Sequence, residues 1–143
     1  MNAQGGYDIE DMQPGLSASF AKTVTEADIL LFSAVSGDIN AVHLNEEFAK
    51  STPFGGRIAH GMLTAGFISA VLGNKLPGPG TIYLGQTLKF KAPVRPGDTV
   101  TATVTVREVI AEKRRAILDT VCTVAGKVVL EGEATVMATS KQS

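Results

Sequence analysis

The chain is poor in the residues that build metal centres, disulfides and nucleic-acid surfaces. Its 143 residues hold one cysteine and two histidines, too few for a zinc-ligand pattern. Cys122 lies in an apolar, alternating stretch, where a thiol packs as a small hydrophobe. Without a partner it forms no internal disulfide, which suits a reducing, cytoplasmic setting. Thirteen Lys and Arg stand against fourteen Asp and Glu, a net charge of −1, so the basic footprint of a nucleic-acid binder is missing. No apolar run reaches the length of a membrane span. The acidic, polar start "MNAQGGYDIEDMQPG" is not expected to act as a secretory signal. "GPG" at residues 78–80 is too short for a dinucleotide fingerprint. No metal and no cofactor are expected, and no internal repeat or low-complexity tract is present.

What remains is ordinary globular composition, 44% hydrophobic and 19% charged, at a length that fits one domain with its own core. Residues 1–15, with Gly5, Gly6, Pro14 and Gly15, read as a loose lead-in, and residues 16–140 as the domain. "LSASFAKTV" alternates apolar and polar, a half-buried strand. Thr25 with Asp28 three residues on approximates a capping box, and Gly37 is a natural left-handed end to that helix. "EEFAKSTPFGG" offers a short helical turn. "IAHGMLTAGFISAVLG", residues 58–73, carries no charge. A helix apolar around most of its circumference must be wrapped by other elements. From residue 81 onward the chain is rich in β-branched residues and alternates Val with Thr, predicting four long strands. Tight connections are expected at residues 111–115 and at Ala125–Gly126. One apolar helix and consecutive strands define an α+β domain, an antiparallel sheet curled around that helix.

The stretch "VSGDINAVH" concentrates polar chemistry. Asp38, Asn40 and His43 lie within six residues, just past a helix-ending glycine. As metal ligands they are poor, because His43 occupies the turn position where a calcium loop needs glycine. A carboxylate and an imidazole can instead hold one water between them as a general acid/base pair. Asn40 either supports that geometry or bonds its own backbone in a turn. Downstream, "GRIAHGML" opens the apolar helix. Helix first turns leave backbone N–H groups free and partly positive. Gly61 there either lets a ligand oxygen reach the amide, an oxyanion site, or simply permits close packing.

Three runs, "FSAVSGDINAVHLNEEFA", "RIAHGMLTAGFISAVLG" and "IYLGQTLKFKAPVRPGDTV", resemble the (R)-specific enoyl-CoA hydratases, the MaoC-like hydratases of the hot-dog fold. The likeness covers roughly residues 20–106. One departure is visible: the family usually has proline after the asparagine, where this chain has Ala41. The resemblance implies a hot-dog domain and a homodimer with the active site at or near the interface. It assigns Asp38 and His43 as the catalytic dyad, the Gly61 N–H as oxyanion donor, Ser69 as a serine that helps orient the dyad, and Asn40 as a supporting residue. The implied reaction is reversible hydration of trans-2-enoyl-CoA to (R)-3-hydroxyacyl-CoA in fatty-acid or polyhydroxyalkanoate metabolism. An acyl-CoA substrate would meet basic residues, with Lys89, Lys91, Arg95, Lys113, Arg114 and Arg115 as candidates. Alternatives are a 3-hydroxyacyl-ACP dehydratase, an acyl-binding domain without activity, and a hot-dog thioesterase. Thioesterases generally carry a carboxylate on or near the central helix, and the apolar segment has none.

Overall fold

In the computed structural model, which describes residues 1–142, period-two patterning becomes one antiparallel sheet. Its strands are β1 (Ser17–Thr23), β2 (Ile82–Gln86), β3 (Lys89–Phe90), β4 (Thr99–Ile110), β5 (Arg115–Val124) and β6 (Lys127–Met137). Their order is β1-β4-β5-β6-β2, with β3 also paired to β6. Along β4 the alternation is strict: Val100, Ala102, Val104 and Val106 are buried while the threonines between them face outward. Ala116, Leu118 and Cys122 of β5 and Ala134 and Val136 of β6 complete the inner face. Burial pushes the Cys122 thiol up to about 12, so it packs and does not react. The β5–β6 turn puts both Ala125 and Gly126 at positive φ, 50° and 80°, the geometry of a tight hairpin.

Helix α1 (Glu26–Ser36) starts on a complete capping box, Thr25 with Asp28, and ends at Gly37 with φ 81°. Short helices α2 (Ala41–Leu44) and α3 (Glu46–Lys50) follow, and then α4 (Gly61–Asn74). Leu63, Ala65, Ile68, Val71 and Leu72 of α4 fill the concave side of the sheet. Arg57 ties the helical layer together, reaching Glu26 at 2.6 Å and Glu46 at 3.3 Å.

Three expectations change. The apolar segment is helical only from Gly61. Ile58 N–H and Ala59 N–H donate to the carbonyls of Val42 and Val94 at 3.3 and 2.6 Å, which holds that stretch extended. The strand expected from residue 81 breaks into β2 and β3, so the sheet has six strands. The lead-in is not loose: Ile9 and Met12 are buried in the core. Tyr7 N–H and Ile9 N–H donate to Pro77 and Thr139 carbonyls, both at 2.7 Å.

Candidate active site

The end of α1 delivers the polar loop. Beyond Gly37, Asp38 N–H donates to Ser36 Oγ at 3.1 Å, and Asp38 Oδ1 accepts from Asn40 N–H at 3.2 Å. Asn40 Oδ1 then accepts from Val42 N–H at 3.1 Å and caps α2. Asn40 therefore shapes the loop through its own backbone. One turn of α2 carries His43 inward, where it is buried. His43 Nδ1 lies 2.8 Å from the Ile58 carbonyl oxygen. A carbonyl only accepts, so Nδ1 carries the hydrogen and, in the neutral ring, Nε2 the lone pair. The extended 58–60 segment thus sets the tautomer.

His60, immediately before α4, completes the cluster. Its ring stacks on His43 with centroids 3.8 Å apart at 30°, and its Nε2 contacts Ser33 Oγ and the Asp38 carbonyl at 3.1 and 3.0 Å. Sequence reasoning gave His60 no role. Its only signal was a polar side chain at the mouth of an otherwise apolar helix. One donor atom from each of Asp38, His43 and His60 lies within 4.8 Å of the others. Two water hydrogen bonds at a tetrahedral angle span about 4.6 Å, so one water can bridge such groups. His43 Nδ1 and His60 Nε2 are each taken up by a carbonyl oxygen, of Ile58 and of Asp38, which leaves one ring nitrogen on each histidine.

These residues border a cleft of about 430 Å³, together with Gly61, Phe54, Met62, Phe90, Val94, Val129 and Leu130. Gly61 opens α4, and among the described residues its N–H has no acceptor. A Cβ at this position would fall 2.4 Å from the Phe90 ring. The missing side chain is thus explained by packing, while the N–H stays free at the helix end. Ser69 does not join the group. It is exposed in the second half of α4 and lines a separate groove of about 410 Å³ with Gly66, Tyr83, Leu84 and Gln86. Met62 borders both spaces. Of the basic candidates only Lys91 lines the cleft, paired with Glu131 at 3.4 Å. Arg95 stands at its edge, donating to the Phe54 carbonyl at 2.5 Å.

A curled antiparallel sheet around one apolar helix, with a carboxylate and an imidazole at that helix's first turn, defines a hot-dog protein. The model of the MaoC like domain matches residues 11–131, and the chain belongs to that family. An (R)-specific enoyl-CoA hydratase from Rhodospirillum rubrum is 65% identical over 128 residues, 90% of this chain and 89% of that protein. R-hydratase PhaJ1 from Pseudomonas aeruginosa superposes with a TM-score of 0.90 at 44% identity, over 95% of this chain and 88% of that one. The (R)-hydratase from A. caviae involved in PHA biosynthesis gives 0.87 at 42% identity, over 90% and 98%.

Proposed function

We propose that the protein is an (R)-specific enoyl-CoA hydratase, adding water reversibly to trans-2-enoyl-CoA to form the (R)-3-hydroxyacyl-CoA. The observation that carries this reading is the meeting of the Asp38 carboxylate and the His43 ring, with one polar atom of each within 4.8 Å, beside the cleft. The attacking water sits between Asp38 and His43. As its oxygen bonds to C3, His43 Nε2 takes its proton, and the dyad returns one proton to C2, so one molecule of water is added in all. The thioester oxygen gains enolate charge and meets the Gly61 N–H at the positive end of α4. Acid/base assistance contributes about 10²–10⁴ in rate, and one oxyanion donor roughly 2.7–4 kcal/mol. Neither needs a metal or cofactor.

The apolar lining from Phe54 to Leu130 takes the acyl-thioester end. A volume of about 430 Å³ lies within the range of ligand pockets. The free edge of β2 and the open face of α4 support a homodimer whose interface reaches the site through Met62. The unpaired, buried thiol suits the cytoplasm.

The test is hydration of crotonyl-CoA, followed as loss of enoyl-thioester absorbance with free thiol measured in parallel. Absorbance should fall without thiol release. Asp38→Asn and His43→Gln should each lower kcat by about 10²-fold or more while the protein stays folded. Thiol release would mark a thioesterase, and no turnover across several chain lengths would reject the CoA substrate in favour of an acyl-ACP.

A further inference from the structure

His60 is a polar group of the site that the proposed reaction leaves idle. At 2% exposure it is more deeply buried than His43. Because the Asp38 carbonyl can only accept, His60 Nε2 carries the hydrogen that bonds it at 3.0 Å, and the neutral ring keeps its lone pair on Nδ1. Among the described residues Nδ1 is buried with no hydrogen-bond partner. An orphaned buried nitrogen costs stability that a phenyl ring of similar shape would not, so filling space does not account for a histidine here. Starting the helix does not account for it either. His60 occupies the N-cap of α4, yet its side chain makes no capping bond and turns toward α1 and the loop instead. There it meets Ser33 Oγ of α1 at 3.1 Å and packs beside Phe32 with ring centroids 4.8 Å apart.

One imidazole therefore holds both members of the dyad, the backbone of Asp38 through a hydrogen bond and the ring of His43 through a stack at 3.8 Å. The two reach the site on different elements, Asp38 from the end of α1 and His43 from α2. Among the described residues no other side chain touches both by these contacts. We infer that His60 is a positioning residue that fixes the separation of Asp38 from His43 and, through it, the place of the attacking water. Reacting groups displaced by about 1 Å lose on the order of 10²-fold in rate, so a brace of this kind acts on kcat rather than on substrate affinity. His60 has this role only if Asp38 and His43 share the attacking water, as proposed above.

Two substitutions separate its two contacts. His60→Phe keeps a ring against His43 and loses the donor to Asp38. His60→Gln keeps an N–H of similar reach and loses the ring. Crotonyl-CoA hydration by each variant is compared with Asp38→Asn and His43→Gln, recording kcat, KM, the pH–rate profile and the thermal midpoint. Both His60 variants should lower kcat by about tenfold or more with KM within about threefold, and should displace the pH–rate profile, which reports the groups that exchange protons with the substrate. Turnover within twofold of the parent in a folded His60 variant would overturn the inference. So would a loss explained wholly by the unfolded fraction with the profile unmoved, or failure of both variants to fold, which would make His60 a packing residue. Loss of activity in the Asp38 and His43 variants alongside normal His60 variants rejects the brace alone. Retained activity in the Asp38 and His43 variants rejects the dyad, and the brace with it.

Discussion

At the scale of single residues, the departure at Ala41 has a concrete meaning. Ala41 is the first residue of α2, and among the described residues its N–H finds no acceptor. Proline is favoured at this position, where the missing N–H would be unpaired in any case. The preceding Asn40 has φ −53° and ψ 130°, the conformation a following proline requires. Nothing local opposes proline, so alanine leaves the unfolded chain freer and the loop looser. Ala41→Pro should raise stability by about 0.4–1 kcal/mol, some 1–3 °C in a melting curve, with kcat unchanged or higher. A lowered midpoint would mean that proline strains the Asn40–Ala41 backbone. The meeting of Asp38 with His43 was legible because chemistry-bearing residues crowd a six-residue loop. His60 was not, since its role depends on a ring stack and a carbonyl delivered by distant segments, which no local spacing encodes.

At the scale of elements, α1, with its capping box and terminal glycine, and the long strands β4 to β6 were legible from local rules. The start of α4 was not, because the pairing that holds Ile58 and Ala59 extended comes from Val42 and Val94, and Ile58 and Ala59 are as apolar as the helix they precede. The lead-in misled for a similar reason. Its glycines suggested slack, yet Ile9 and Met12 are buried in the core. The contact between α4 and β3 carries its own prediction. Phe90 lies against Gly61 but is about half exposed, so its ring can swing aside. Gly61→Ala should cost about 1 kcal/mol by overpacking and raise KM as Phe90 is displaced from the cleft wall. In a Phe90→Ala background the same substitution should be close to neutral, with kcat kept, because alanine retains the N–H that meets the thioester oxygen. A double-mutant cycle on the melting midpoint and on kcat/KM checks both. Equal costs in the two backgrounds would show that Phe90 does not demand the glycine.

At the scale of the whole molecule, α4 is wrapped on one side only. Its apolar circumference predicted cover all round, yet Met62, Gly66, Ser69 and Gly73 face outward. Beside them runs edge strand β2, with Ile82, Tyr83 and Leu84 between 40 and 53% exposed. A free strand edge next to an apolar groove invites pairing with a second copy, and a two-fold axis there would join two sheets and face two α4 helices. Gly66 discriminates sharply between a free and a covered face. A Cβ at this position meets nothing within 4 Å inside one chain. Gly66→Glu should therefore stabilise an isolated chain slightly, since glycine in a helix interior costs about 0.5–1 kcal/mol relative to alanine. In a dimer closed over this groove the same change buries a charge, which costs several kcal/mol without a partner. Light scattering should find the parent dimeric and Gly66→Glu monomeric. Because Met62 borders both groove and cleft, hydratase activity should fall together with the dimer. A Gly66→Glu protein that stays dimeric and fully active would move the interface elsewhere on the molecule.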